Sequence, residues 1–303
     1  MRLSIFSWAA PVFGVVLACG SDTHSGEQNV PIAYECPRTA IHIRALEAED
    51  MTGKKITDKT ILLTFDSGPS EATKDIETYL TSKQIRATFF IMGANAVGNE
   101  STLDQLKTDG HLLGNRTNTD DDVTTLNATD LVKSVTDTDA FIRDRLPAGA
   151  KLLFRPPYGG WNAAAQTALA ASDMKKYTGP VGWEIGDNLA DGIGSDLECW
   201  DKGKTGAECA DLVLKQIREK KAVIVLLHDG PPGVGAKPVD MVKAMIDPLK
   251  TEGFKFARLD ELNLVPRSQT FQGEDPGGTE PGGGPTGGGT TGGGEAGENP
   301  CQR

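Results

Sequence analysis

Short apolar runs recur through the middle of the chain, with stretches of helical spacing between them. Residues 61–65 (Ile61-Leu62-Leu63-Thr64-Phe65) are apolar and partly β-branched, which predicts a buried strand. Residues 71–83 place Ile76, Tyr79 and Leu80 on one helical face, and 87–92 predict a second buried strand. Leu103 and Leu106 belong to a helix stopped by Gly110, and 112–115 predict a short strand. Asn127 is placed to cap a helix over 128–146. A strand at 152–154, an alanine-rich helix at 162–171 and a strand at 181–185 follow. Residues 208–220 are amphipathic through Leu212, Leu214 and Ile217, and 222–227 form the most apolar run after the N-terminus. A helix at 239–249 and a strand at 254–259 close the series. Repeated strand–helix alternation predicts an α/β fold with a parallel sheet covered by helices. About seven such units predict a distorted (β/α) barrel, in which functional side chains sit just past the strand C-termini.

The two ends break this pattern. Arg2 precedes an apolar stretch, 5–17, interrupted by Pro11; it is short and terminal, as in an export leader. It ends in Val16-Leu17-Ala18-Cys19-Gly20, which is similar to a bacterial lipobox, in which the cysteine is lipidated; the same residues also suit an ordinary secretory leader with an incidental cysteine. Both readings put the mature chain outside the cytoplasm, and lipid on Cys19 would anchor it to a membrane as a lipoprotein of the periplasm, outer membrane or cell surface. Beyond 267, repeats such as Gly282-Gly283-Gly284 with Thr, Pro and Glu between them bury no apolar area, so disorder is expected. The expected organisation is a leader at 1–18, a polar tether at 19–35, a folded domain at 36–267 and a tail at 268–303.

Charge narrows the partners. The 303 residues carry 31 Lys+Arg against 42 Asp+Glu, a net charge of −11, which argues against nucleic acid. The four histidines (His24, His42, His111, His228) leave little material for a histidine-rich metal site. Cys199 and Cys209 flank a turn-rich stretch and predict a short-loop disulfide in an oxidising compartment; no partner is evident for Cys36, and Cys301 lies in the tail. A monomer is expected.

Past the predicted strands stand Asp66, residues 115–120, Arg155, Asp187 and His228. A carboxylate, an arginine and a histidine at one mouth form an acid/base set suited to hydrolysis. Taken singly, His228 reads as a loop histidine and Asp66 as a helix cap; together the strand ends favour a site.

Here the sequence resembles the polysaccharide deacetylase family, the NodB-homology carbohydrate esterases, over residues 57–262. The family's T-F-D-D-G-P appears as Thr64-Phe65-Asp66-Ser67-Gly68-Pro69, and its G-H-x-x-G-N-H-T-x-x-H as Gly110-His111-Leu112-Leu113-Gly114-Asn115-Arg116-Thr117-Asn118-Thr119-Asp120. R-P-P-Y-G is intact as Arg155-Pro156-Pro157-Tyr158-Gly159, and L-L-H-D as Leu226-Leu227-His228-Asp229. The fourth motif is loose, with Trp183, Asp187 and Asp191 its candidates. The resemblance implies a NodB-type barrel and hydrolysis of acetyl groups from N- or O-acetylated polysaccharide, the implied partner. It implies Asp66 as base, His228 as acid, Arg155 orienting the base and the Tyr158 backbone N–H at the oxyanion. It also implies Trp161, Trp183, Leu226 and Asp187 as substrate contacts.

The departure is at the metal. The family holds zinc or another divalent cation with one aspartate and two histidines; those positions read Ser67, Arg116 and Asp120. Arginine offers no lone pair and stays protonated, so no metal is expected unless the family chemistry is retained in another arrangement. Arg116 is instead expected to bridge Asp66 and Asp120. Three functions stay open: an inactive glycan-binding pseudoenzyme, a deacetylase with a different metal arrangement, and a slow hydrolase in which Arg116 supplies the positive charge.

Overall fold

The computed structural model describes residues 51–266 other than 54–55, 57–58, 221–222 and 231–232. The leader, Cys19, the tether, Cys36, Cys301 and the glycine-rich tail lie outside the described residues. Among the described residues no helix is long and apolar enough to cross a membrane.

In chain order the elements are β1 (Met51–Thr52), β2 (Thr60–Asp66), α1 (Thr73–Ser82), β3 (Thr88–Ile91), α2 (Gly93–Ala96), α3 (Glu100–Thr108), β4 (Leu112–Asn115), α4 (Ala128–Ile142), α5 (Ala163–Ala170), α6 (Asp196–Asp201), α7 (Gly206–Lys220), β5 (Val223–His228), α8 (Lys237–Thr251), β6 (Lys255–Phe256) and β7 (Val265–Pro266). The central sheet runs β4-β3-β2-β5, all parallel, with β6 alongside the start of β2. β1 and β7 form a separate antiparallel pair.

The period-two side-chain alternation of a strand explains how β2 serves two layers. Ile61, Leu63 and Phe65 join the larger apolar cluster beneath the helices, with Phe65 stacked on Phe89 at 4.9 Å. Leu62 points the other way, into a smaller cluster with Phe90, Leu112, Leu153, Val181 and Ile224. Thr64 and Asp66 share that inner face and meet Arg155 there.

The rest of the barrel wall is thinner than the apolar pattern predicts. Residues 152–154 and 181–185, expected as strands, are held by isolated parallel bridges, Asn115 to Phe154, Leu153 to Thr178 and Ile185 to Val225. Pro156 and Pro157 follow the first segment and Pro180 precedes the second, and none of them supplies an N–H to extend a ladder. The expected strand at 254–259 shortens to β6, so the sheet has five regular strands. Asn127 caps α4 as its residue type predicts, its side chain accepting from the Asp130 N–H at 3.0 Å. Cys199 and Cys209 are joined in a disulfide that ties α6 to α7.

Candidate active site

Asp66 ends β2 beside His228 at the end of β5, because the two strands run parallel in register through Asp66 and His228. Arg155 reaches Asp66 from the barrel interior and is fully buried. Its Nη1 donates to Asp66 Oδ1 at 2.8 Å and to Thr64 Oγ1 at 2.7 Å. Its Nε and Nη2 donate to the Val181 and Gly182 carbonyls at 3.0 and 3.1 Å. The guanidinium lies over the Phe90 ring at 4.2 Å. Burial pushes the Arg155 pKa down, and Asp66 opposes that shift.

Arg116 approaches from the turn after β4. It is 4% exposed. Its Nε donates to Ser67 Oγ at 2.9 Å, its Nη1 to the Pro156 carbonyl at 3.4 Å and its Nη2 to Asp120 Oδ1 at 3.2 Å. Nη1 also lies 2.9 Å from Asp66 Oδ2, an ion pair made off the hydrogen-bond direction, so that Oδ2 is buried without a hydrogen-bond donor. Arg116 therefore bridges Asp66 and Asp120. Asp120 spends its other oxygen on the Tyr158 hydroxyl, which donates to Oδ2 at 3.0 Å; that bond, with partial burial, raises the Tyr158 pKa.

The turn is held from below. Asn115 accepts the Thr117 N–H at 2.9 Å and donates to the Val135 carbonyl at 2.8 Å and the Tyr177 hydroxyl at 3.2 Å. Tyr177 donates in turn to the buried Asp139 at 2.7 Å. Ser67, Thr117 and Tyr158 adopt left-handed backbone with φ of 70°, 75° and 57°. Non-glycine residues there cost about 1–2 kcal/mol each, a strain that clusters at functional sites.

His228 is held by Asp196, a residue the sequence analysis did not single out. Asp196 Oδ1 lies 2.7 Å from His228 Nδ1, and its Oδ2 accepts the His228 backbone N–H at 2.7 Å. Burial alone pushes the His228 pKa down, but the charge and hydrogen bond of Asp196, with Asp66 beyond, outweigh it and the net shift is upward. Next to it Asp229 is a buried acid whose Oδ2 accepts from Thr73 Oγ1. Burial pushes its carboxyl up to about 7. Position 68 must be glycine, because a Cβ there would meet the Asp229 carboxylate at 1.9 Å.

Over this floor opens a cleft of about 530 Å³, lined by Asp66, Ser67, Asp120 and His228, with Glu71 and Asn95 among its polar walls and Met92, Val97 and Leu197 among its apolar ones. A second cleft of about 200 Å³ is lined by Pro156, Tyr158, Gly159, Pro180, Trp183 and Asp187 among others. The structure thus gathers Asp66, Ser67, Arg116, Asp120, Arg155, Tyr158 and His228 at one mouth and sets Trp183 and Asp187 in the neighbouring cleft. Trp161 and Leu226 are placed elsewhere. Trp161 packs on Phe154 at 5.9 Å against the core, and Leu226 is buried in β5; neither lines either cleft.

A divalent cation at this mouth needs lone pairs aimed at one point. Ser67 Oγ and Asp120 Oδ1 already accept from Arg116, and the guanidinium between them has none to give. Among the described residues no group of three or more His, Cys, Asp or Glu is arranged to hold a metal. The residues present do not fit the family's metal.

Residues 53–177 match the family model described as polysaccharide deacetylase. A chitooligosaccharide deacetylase of Rhizobium leguminosarum bv. trifolii is 28% identical over 215 residues, covering 67% of this chain and 92% of its own. The crystal structure of the Bc1960 peptidoglycan N-acetylglucosamine deacetylase superposes with a TM-score of 0.56 at 24% identity, covering 69% of this chain and 90% of that one. So does that of BA3943, a CE4 family pseudoenzyme from Bacillus anthracis, with a TM-score of 0.52 at 21% identity over 68% of this chain and 65% of that one. The last two likenesses concern the fold.

Proposed function

We propose that the chain is a glycan-binding member of the polysaccharide deacetylase family in which metal-dependent removal of acetyl groups is lost. The observation that carries this reading is the position of Arg116. Its guanidinium meets Ser67, Asp120 and Asp66 at 2.9, 3.2 and 2.9 Å and fills the place that the family gives to its cation. It also closes the base. Asp66 is 1% exposed, with a guanidinium against each carboxylate oxygen, which leaves it poorly placed to take a proton from water. A guanidinium carries charge but does not lower the pKa of a bound water toward 7, as a metal does. The acid side is assembled in His228 and Asp196, which supports a mouth that still takes a glycan.

The clefts and the exposed Tyr158 support retention of an acetylated polysaccharide such as a chitin or peptidoglycan strand. The leader and Cys19 support placing the module outside the cytoplasm on a lipid anchor. The test measures zinc content, acetate release and binding together on a panel of acetylated oligosaccharides. Binding with neither zinc nor acetate release is expected. Stoichiometric zinc with acetate release overturns the reading.

A further inference from the structure

The two clefts differ from a neutral sugar groove in their charges. Apart from His228, every titratable side chain named at their walls is acidic or a phenol: Asp66, Glu71 and Asp120 in the larger cleft, Asp187 and Tyr158 in the smaller. No lysine or arginine lines either one. Arg116 lies beneath the larger cleft, 4% exposed, with its charge turned to Asp66 and Asp120. Glu71 is exposed and Asp187 half-buried, so both carboxylates are within reach of a ligand.

The smaller cleft adds an independent feature. It sets Asp187 with two aromatic rings, Trp183 and the 68%-exposed Tyr158. A carboxylate beside aromatic faces is the chemistry that recognises an ammonium, through ion pairing and cation–π attraction. Trp183 already shows that affinity on its inner side, where the Arg155 guanidinium sits 5.5 Å from its ring centroid. The Tyr158–Asp120 hydrogen bond joins the walls of the two clefts, so one sugar chain can lie along both.

Resting on the glycan-binding reading above, we propose that the groove selects amino-sugar chains bearing free amines, with an ammonium seated in the cleft of Tyr158, Trp183 and Asp187. An N-acetylated residue offers the same ring with no charge for Asp187 or Glu71 to meet. A uronate or another acidic sugar meets carboxylates alone. A chain that does not hydrolyse acetyl groups then reads the state of the glycan that amide hydrolysis by another enzyme leaves behind.

The test titrates the full-length chain calorimetrically with three hexasaccharides: glucosamine, N-acetylglucosamine and a uronic acid. At low salt the glucosamine hexamer is expected to bind roughly tenfold more tightly than its acetylated counterpart, with the uronate weakest, and the advantage is expected to shrink several-fold in about 0.5 M salt. Asp187→Asn and Glu71→Gln, both at accessible side chains, should each cut the advantage about threefold, read as the ratio of the glucosamine and N-acetylglucosamine affinities of the same variant. Equal or tighter binding of the acetylated hexamer, a uronate that binds as well as glucosamine, or an advantage untouched by both substitutions overturns the proposal and leaves the glycan-binding reading standing. Failure of all three hexamers to bind overturns that reading, and the proposal with it.

Discussion

Asp66→Asn is expected to destabilise the fold strongly. Asp66 is 1% exposed and stands between Arg155, fully buried, and Arg116, 4% exposed, at 2.8 and 2.9 Å. At an effective dielectric near 20, a pair of unit charges about 4 Å apart is worth about 4 kcal/mol. The substitution removes two such attractions and leaves two guanidiniums facing each other across a neutral amide. An asparagine oxygen accepts from one of them, and its NH₂ meets the donors of the other. Breaking a buried pair by removing one partner costs about 3–5 kcal/mol, which in a domain of this size lowers Tm by roughly 6–20 °C.

The second half of the cycle discriminates. Arg116→Met alone leaves Asp66 paired with Arg155 and should cost about 1–2 kcal/mol. In the Asp66→Asn background the same change relieves the repulsion and should restore part of the loss, giving a favourable coupling of at least about 1 kcal/mol. Urea unfolding of the four proteins measures the cycle. A neutral or stabilising Asp66→Asn, or losses that add, would refute the reasoning, because Asp66 would then be a solvated site carboxylate and not the anion between two buried cations.

Three further outcomes are expected. Burial pushes the His111 pKa from 6.5 down to about 4, so the folded protein keeps it neutral while the unfolded chain takes up a proton; stability is full above about 6.5 and falls by up to about 3 kcal/mol as pH drops toward 4, and His111→Gln should flatten that slope in melts from pH 4 to 7.5. Asp229 works the other way, its contribution present below its ordinary 3.8 and lost as pH rises through about 7, so the comparison is between slopes and not absolute values. Ser67→Asp, Arg116→His and Asp120→His together should bring stoichiometric zinc and partial acetate release, read by metal analysis and an acetate assay; zinc without release would place a second lesion in the groove. Cys199→Ala with Cys209→Ala should cost about 2–3 kcal/mol and, by loosening the helix that carries Asp196, lower the His228 pKa seen by NMR titration.

The apolar runs made the sheet legible, because each strand of the barrel buries both faces. β2, β3, β4 and β5 fall on the runs that predict them, and the strand ends deliver Asp66, Arg116, Arg155 and His228 to one mouth. Two kinds of feature were hidden. The wall segments near 153 and 181 look like strands in hydropathy, yet they pair only through isolated bridges, with prolines at their ends. Asp196 was hidden by distance, 32 residues before His228, in a loose motif where Asp187 and Asp191 stood nearer to Trp183. The available signal was local: Ser195 caps the turn before a short helix that runs into Cys199, and an acidic first-turn residue there is held rigidly enough to orient a neighbour. Trp161 packs on Phe154 against the core, because an aromatic just before a helix serves the core as readily as a sugar.

The three departures at the metal positions are best understood as one change. Loss of a cation from an otherwise unaltered site would leave an aspartate and two histidines with vacant lone pairs, and buried polar groups without partners are costly. Here each group finds a complement. Ser67 accepts from Arg116 Nε, Asp120 divides its oxygens between Arg116 and Tyr158, and Arg116 returns a positive charge to the buried Asp66. A serine is short enough to leave room for the guanidinium, and an aspartate supplies the anion that a histidine would not. Their mutual satisfaction centres the site on an internal arginine, with Arg155 on Asp66 and Asp196 on His228 framing it on either side.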